Sequence, residues 1–324
     1  MDYLDWLRWS GHGFVCPHCR GTKRWSVGGR WRCASCRKWV SVLGGTLFAG
    51  SRLPLTVWFH AIWRMATSKS GVSALELQRT LGISSYQSVW TMLHRLRQGM
   101  GSGTKNLLSG TVEVDETFFG GPRSGIRGRG TTGKTMVAVA VEHAGGKALG
   151  RARTLVIPNA QSSTLSGFLA ATVESGSTVV TDGLNAYHAA TTRYVHDVHV
   201  VHGSGAPAHE LLPGVHLVIS LTKRWMLTTH QGGVQPEHLA AYLDEFVFRF
   251  NRRTSKVPGL IFYRLVQAML NTSPAPVPAS SDVTEHSPAF TFLPSTTPTA
   301  SHVAPHSLAL PPQKMPWRKG PPNG

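Results

Sequence analysis

The chain has 324 residues and carries 33 basic against 16 acidic side chains, a formal net charge of +17. Such an excess of positive charge indicates a polyanionic partner and predicts binding that weakens as the salt concentration rises. The sequence contains no run of about eighteen apolar residues, which a membrane span needs, and nothing that resembles a signal peptide. We therefore expect no membrane partner and a location in the reducing cytoplasm.

Residues 1–46 are predicted to form a small zinc ribbon. Two Cys-x-x-Cys motifs, Cys16 with Cys19 and Cys33 with Cys36, are separated by thirteen residues and hold all four cysteines of the chain. Two such motifs on opposing turns deliver four thiolates to one tetrahedral Zn²⁺ and leave no open coordination position. We therefore expect one structural zinc ion. A pair of disulfides is the alternative, which the tight turns and the expected compartment disfavour.

Basic side chains alternate with tryptophans around these cysteines. The stretch contains Arg20, Lys23, Arg24, Trp25, Arg30, Trp31, Arg32, Arg37, Lys38 and Trp39. We predict that the cations, with Arg24, Arg32 and Lys38 among them, contact DNA phosphates while the aromatic rings pack the thin core. The alternative is a ribbon that only organises the next domain.

Residues 47–105 are predicted to form a helical module of the helix-turn-helix type. Ser73 and Glu76 form a capping-box signature, Gly82 ends the first helix, and Ser84 or Ser85 caps the second. In a helix-turn-helix the second helix presents side chains to DNA. The side chains expected to face outward there are Gln87, His94, Arg95 and Arg97. A plain helical hairpin is the alternative.

In the next region, residues 106–270, the sequence pattern predicts strands, and two aspartates lie on them. Residues 110–119 alternate, so Val112 and Val114 share one face of a strand while Glu113 and Asp115 share the other. Residues 135–142 and 153–157 are further strands, and a helix over about 162–174 precedes a strand at 178–182. Asp182 closes that last strand, from which its carboxylate projects into a loop. The predicted order is three strands, a helix and a fourth strand.

A predicted helix over residues 215–227 adds two further candidates for a site. Seven residues at about 100° each return close to the starting direction, so His216 and Lys223 lie on one face. Two carboxylates and a third ligand can hold two divalent cations, Mg²⁺ or Mn²⁺, for phosphoryl transfer, and a lysine beside them orients the phosphate backbone. Alternatives stay open for each residue: the aspartates as turn formers, the histidine as structural, and Glu113 as a competing ligand.

The C-terminal part contains a predicted helix and then a proline-rich tail. A helix opens at Pro236 and carries Leu239, Leu243, Phe246 and Phe250 on one core-packing stripe, followed by Arg252 and Arg253 as candidate phosphate contacts. Residues 271–324 hold twelve of the twenty prolines, and we expect them to form a disordered tail. The glycine-rich, basic link at residues 120–130 is predicted to be a flexible hairpin near DNA or an ordinary solvated loop.

Four motifs together resemble the IS1595 family of insertion-sequence transposases, including its ISXO2-like group. They are Val-Glu-Val-Asp-Glu-Thr-Phe-Phe-Gly-Gly at 112–121, Thr-Asp-Gly-Leu-Asn-Ala-Tyr at 181–187, His-Leu-Val-Ile-Ser-Leu-Thr-Lys-Arg-Trp at 216–225 and Tyr-Leu-Asp-Glu-Phe-Val-Phe-Arg-Phe-Asn-Arg-Arg at 242–253. The resemblance covers about residues 1–270. It implies an α/β fold with a ribonuclease H-like core of the DDE type, and Asp115 and Asp182 as the first two metal ligands.

The resemblance also implies a reaction and partners. The third ligand varies among Glu, Asn and His in this family, and His216 fits the last variant. The implied activity is cleavage and joining of double-stranded DNA at the terminal inverted repeats of an element, by a homo-oligomer on paired ends at a prokaryotic nucleoid. The alternative is a catalytically inactive, transposase-derived DNA-binding protein, since imidazole replaces a carboxylate.

Overall fold

The computed structural model describes most of the chain outside its C-terminal tail. The described ranges are 2–9, 13–28, 30–102, 106–120, 134–146, 148–200, 208–230 and 234–275. Nearly all of the basic link at 120–130, and the tail from residue 276 onward, therefore lie outside the described residues. The predictions made for them stay as expectations.

The N-terminal part begins with helix α1, Asp2–Trp9, and a three-stranded antiparallel sheet. Its strands are β1, Arg24–Val27, β2, Arg30–Cys33, and β3, Trp39–Val40, in that order across the sheet. The prediction that the ribbon's tryptophans fill its core is wrong for two of them. Trp25 and Trp39 are exposed, and only Trp31 packs against the buried cluster. The ribbon is too thin to cover both faces.

Three helices follow: α2, Leu55–Thr67, α3, Ala74–Leu81, and α4, Tyr86–Ser102. The predicted caps are confirmed, because Ser73 Oγ accepts the Glu76 N–H and Ser85 Oγ accepts the Ser88 N–H, at 3.1 and 3.3 Å. Gly82 ends α3 at φ 64°, a left-handed conformation that glycine adopts without steric cost.

Two predictions for α4 are wrong. His94 and Arg97 do not face outward; both are almost fully buried, at 3% and 1% exposed. The physical reason is a second layer of protein on that face. Helix α9, Pro236–Phe250, packs along α4, and Arg97 Nε donates to Glu245 Oε2 at 2.9 Å.

The main sheet has five strands in the order β6-β5-β4-β7-β8. The strands are β4, Thr111–Phe119, β5, Thr135–His143, β6, Leu149–Ile157, β7, Thr178–Thr181, and β8, Val195–Val198. β4, β5 and β6 pair antiparallel, whereas β7 pairs parallel with both β4 and β8. Helix α5, Ser162–Thr172, makes the crossover between β6 and β7. The predicted strands and their order are confirmed.

Helices cover both faces of this sheet. On one face α5 and α6, Ala186–Ala190, pack on Val112, Val114 and Ala138. On the other face, Val137 and Val139 lie in a cluster with apolar residues of α8, Pro213–His230, and α9. The predicted α9 stripe of Leu239, Leu243, Phe246 and Phe250 belongs to this second cluster. A short helix, α7, Ala208–Leu211, precedes α8.

The last helix, α10, Pro258–Asn271, packs on the N-terminal helices, and the division of the chain into domains stays a prediction. Leu265, Val266 and Met269 lie in the same buried cluster as Trp58 of α2 and Leu96 of α4. Helices α2, α3, α4 and α10 therefore form one layer, called the helical layer below. The first three precede the strands of the main sheet in the sequence, and α10 follows them. The described residues cluster as one compact unit.

Candidate active site and metal centre

Asp115 and Asp182 stand side by side on neighbouring strands. β4 and β7 pair in parallel with Glu113 opposite Val180, and the two aspartates lie two residues further along each chain. Neighbouring strands are about 4.8 Å apart, so this register brings two carboxylates from positions 67 residues apart to the same level of the sheet. Both side chains are half-buried.

Asp115 has a backbone N–H, an imidazole ring and a second carboxylate as neighbours. Its Oδ1 accepts the N–H of Glu116 at 2.8 Å, and its Oδ2 lies 3.8 Å from His216 Nδ1. Burial raises the pKa of Asp115; the Glu116 N–H and His216 oppose this, and the charge of Asp182 raises the pKa further. A bound cation would stabilise the charge of a carboxylate that is disfavoured in this way.

Helix α8 supplies the other two predicted residues from across the sheet face. His216 lies near its start, and two turns later Lys223 Nζ donates to Thr117 Oγ1 at 2.7 Å. Thr117 is two residues beyond Asp115 on β4, hence on the same face. Burial lowers the pKa of Lys223, Asp115 raises it, and Lys134 lowers it again. The structure thus brings Asp115, Asp182, His216 and Lys223 together.

Glu113, the competing ligand, has a different role. Its buried carboxylate accepts the Val215 N–H at 2.7 Å through Oε2 and contacts His143 Nε2 at 2.7 Å through Oε1. A carboxylate among the free N–H groups at the start of α8 stabilises that helix. A Cβ on Gly214 would stand 3.0 Å from Glu113 Oε2, so glycine makes room for this contact. Glu113 therefore caps α8, and each of its oxygens has a partner within the protein.

Glu116 and Tyr187 are neighbours of the site that the sequence patterns did not single out. Tyr187, fully buried in α6, donates a hydrogen bond from its hydroxyl to Glu116 Oε1. Burial raises the pKa of Glu116 to about 7, while the Tyr187 hydroxyl lowers it and the charges of Asp115 and Asp182 raise it. The sequence offered one signal that these two residues belong to the site, which is their position shortly after an aspartate. Glu116 follows Asp115 directly, and Tyr187 comes five residues after Asp182.

The four cysteines form a compact set. Their Sγ atoms all lie within 4.8 Å of one another, with 3.8 Å between Cys16 and Cys36 and 3.6 Å between Cys19 and Cys33. A tetrahedron with Zn–S bonds of 2.3 Å requires S···S separations of about 3.8 Å. All four thiols are free, so the disulfide alternative is not realised. The geometry supports one structural Zn²⁺.

Within the described part of the chain, the cysteines are the one group of three or more His, Cys, Asp or Glu residues that is this compact. Asp115, Asp182 and His216 are spread more widely. A pair of metal ions about 4 Å apart takes ligands from both sides and so needs a wider set than a single ion. The two carboxylates are ligands that suit Mg²⁺ and Mn²⁺, whereas the imidazole is a softer ligand.

Several cations predicted to contact DNA are engaged within the protein. Arg24 pairs with Asp5 at 2.7 and 2.9 Å and lies 3.6 Å over the Trp31 ring. Arg95 donates to the carbonyl oxygens of Ala49 and Leu47, at 2.8 and 3.4 Å. These two guanidinium groups hold the ribbon and the segment before α2 in place. Their long side chains reach partners that are distant in the sequence, which local sequence patterns do not reveal.

Arg252 and Arg253 are held in the same manner. Arg252 stacks 3.8 Å over Phe248, and Arg253 stacks 4.0 Å over Phe250 and donates to the Gly150 carbonyl at 3.1 Å. Arg32 donates to the Arg37 carbonyl at 2.7 Å. Lys38 and Gln87 are exposed. Among the predicted DNA contacts, the exposed residues are Lys38, Gln87, Lys223 and Arg253.

Two family descriptions match this chain. The ISXO2-like transposase domain matches residues 107–251, and the transposase zinc-ribbon domain matches residues 1–39. Together they cover more than half of the sequence. The chain belongs to the IS1595 family of transposases.

A relative supports this placement in the family. An uncharacterized protein in transposable element ISH50 of Halobacterium salinarum is 28% identical over 288 residues, 80% of this chain and 91% of the relative. The match to the transposase domain of the IS1595 family contains Asp115, Asp182, His216 and Lys223. Helix α10 lies beyond it. No helix among the described residues is both long and apolar enough to cross a membrane.

Proposed function

We propose that this chain is a DNA transposase that binds the terminal inverted repeats of an insertion sequence, cleaves a strand there and joins it to target DNA. The observation that carries the proposal is the side-by-side placement of Asp115 and Asp182, with His216 and Lys223 facing them from α8. The sheet supports a ribonuclease H-like core: three antiparallel strands, a helical crossover and then two parallel strands. The net charge of +17 fits a DNA partner.

Asp115, Asp182 and His216 are the residues that would hold two divalent cations. When bound, such ions supply charge neutralisation at the attacking and leaving oxygens of an in-line displacement. Asp115 is held for this purpose by the Glu116 N–H, and the Asp182 carboxylate by the Leu184 N–H at 3.1 Å. Each aspartate thus has one oxygen held by a backbone N–H, and the second oxygen of Asp115 lies 3.8 Å from His216 Nδ1.

The same displacement serves both chemical steps. In the first, a water oxygen bonds to phosphorus at the element end, the bond from phosphorus to O3′ breaks, and a 3′-hydroxyl is released. In the second, that hydroxyl bonds to a target phosphorus and displaces the target O3′. Lys223 orients the phosphate through its positive charge. When no DNA is bound, Thr117 holds the ammonium group in place by accepting its hydrogen bond.

Cleavage and joining on labelled duplex DNA with the element's own terminal repeats test the proposal. We expect metal-dependent joining by the intact chain in Mg²⁺ or Mn²⁺ and none by Asp182→Ala. Asp197→Ala, which removes an exposed carboxylate from the neighbouring strand β8, is the matched control and should retain activity. Tight repeat binding without chemistry in the intact chain would identify an inactive DNA-binding relic.

A further inference from the structure

A cleft of about 300 Å³ opens between residues 50–53 and the first three turns of α4, in the helical layer. Its apolar part is formed by Leu53, Trp58 and Met92, of which the last two are buried. Hydroxyl groups of Ser85, Ser88 and Thr91 and the guanidinium groups of Arg52 and Arg95 form the polar part. The cleft is lined by no carboxylate.

Contacts within the protein hold this cleft in shape. Arg95 Nη1 donates to the carbonyl of Ala49, 2.8 Å away, which ties the loop to α4. On the other side, Trp58 Nε1 donates to Ser51 Oγ at 3.0 Å. The cleft therefore exists before any ligand arrives, and a ligand need not pay the entropy of ordering the loop. Arg52 is exposed at its rim.

We infer that this cleft binds the sugar-phosphate backbone of DNA, an inference that rests on the proposed function. Phosphate oxygens accept hydrogen bonds from arginine, from Ser and Thr hydroxyls and from the Gln amide, and the cleft is lined by residues of all these types. The apolar floor suits the deoxyribose rather than a free inorganic anion. The cleft borders α4, the second helix of the helix-turn-helix type module. A backbone contact there fixes the position of that helix on the duplex without reading sequence.

Fluorescence anisotropy on two labelled duplexes, one with the element's terminal repeat and one unrelated, tests the inference. Arg52→Ala should weaken binding to both duplexes by about tenfold, as expected for loss of a charged hydrogen bond. It should also reduce the slope of log K against log salt by about 0.9, the value for one phosphate contact. Arg193→Ala removes an exposed arginine from the loop before β8 and should leave both quantities near the wild-type values.

A second pair of variants separates the cleft from overall charge. Ser88→Phe fills the cleft without changing charge and should weaken binding to both duplexes, whereas Thr192→Phe, at an exposed position, should not. Thermal unfolding of each variant checks that the fold is retained. Equal losses for Arg52→Ala and Arg193→Ala, with no effect of Ser88→Phe, would overturn the inference and leave the proposed function standing.

Two further outcomes are decisive. Binding of millimolar inorganic phosphate to the wild type and not to Arg52→Ala, without displacement of the duplex at constant ionic strength, would indicate a small-anion site and contradict the assignment to the DNA backbone. A wild-type chain that binds neither duplex would overturn the proposed function, and the cleft's role with it.

Discussion

Arg97 of α4 and Glu245 of α9 form an ion pair of 2.9 Å whose side chains are almost entirely buried, 148 residues apart in sequence. Arg249 donates to the other oxygen of Glu245 at 3.0 Å, and Tyr242 lies 4.1 Å from the Arg97 guanidinium. This network connects the helical layer to the sheet domain. Its position determines how the two parts of the proposed transposase are held together.

Replacing Arg97 by alanine should lower the free energy of unfolding by about 3–5 kcal/mol, because Glu245 would keep a buried charge with one partner fewer. Arg64→Ala is the matched control, since the Arg64–Glu76 pair is exposed and contributes at most about 1 kcal/mol. Urea unfolding followed by circular dichroism measures both. Similar midpoints for the two variants would show that the buried pair does not join the layers.

His94 and His230 should each make an unfavourable contribution to stability in mild acid. Burial lowers their pKa values to about 3 and about 4; the charge of Arg97 lowers both, nearby His238 and His230 lower that of His94, and Glu245 opposes at His230. The unfolded chain, with an ordinary His pKa of 6.5, binds more protons below that pH than the folded chain does. Each histidine should therefore cost about 2 kcal/mol between pH 6.5 and pH 5.

Asp244 and Glu116 act in the opposite direction, since burial raises the pKa of each to about 7 and acid relieves that cost. A comparison with His94→Phe separates the two effects. Between pH 8 and pH 5, the unfolding free energy of the variant should rise by about 2 kcal/mol relative to that of the wild type. Parallel pH profiles would refute the contribution of His94.

Zinc should be required for folding of the N-terminal part. We expect one zinc per chain by elemental analysis, and loss of that zinc in Cys16→Ser. Because Cys16 and Cys33 are buried in the same cluster as Leu47 and Trp58, the loss should also lower the melting temperature of the helical layer. His18→Ser, which replaces an exposed residue between the two cysteines of one motif, serves as the control and should retain the metal.

The imidazole of His216 should set the metal preference of the site. If it is a ligand, His216→Glu adds the oxygen donor that Mg²⁺ prefers and should lower the ratio of activity in Mn²⁺ to activity in Mg²⁺. Strand joining in each metal measures the ratio. An unchanged ratio would favour the other hypothesis, in which His216 accepts the proton of the attacking hydroxyl.

The hydrogen bond from Tyr187 to Glu116 should hold the two aspartate-bearing segments in register. Tyr187→Phe removes the donor and leaves a buried acceptor without it, so we expect a loss of about 1–3 kcal/mol in stability together with slower strand joining. Tyr194→Phe is the matched control, because its hydroxyl makes a long, 3.4 Å contact to a carbonyl oxygen. Full joining activity in Tyr187→Phe would show that this contact is structural only.

Local patterns determined much of this protein. The spacing of the cysteines predicted the compact thiol set, the Ser73 and Ser85 caps predicted where α3 and α4 begin, and alternation placed Val112 and Val114 on one face of β4. Helices and strands repeat every 3.6 and 2 residues, so short stretches of sequence contain the information that defines them. The four candidate active-site residues followed from the same spacing and from the motifs of the family.

Partners from distant segments were decided only by tertiary structure. Glu113 and Asp115 have the same chemistry and the same strand face, yet α8 begins over Glu113 and uses its carboxylate as a cap, leaving Asp115 beside Asp182. Arg95, Arg252 and Arg253 read as surface cations but bind carbonyl oxygens or stack on aromatic rings. A long side chain reaches several neighbours, and packing between elements remote in sequence determines which one it meets.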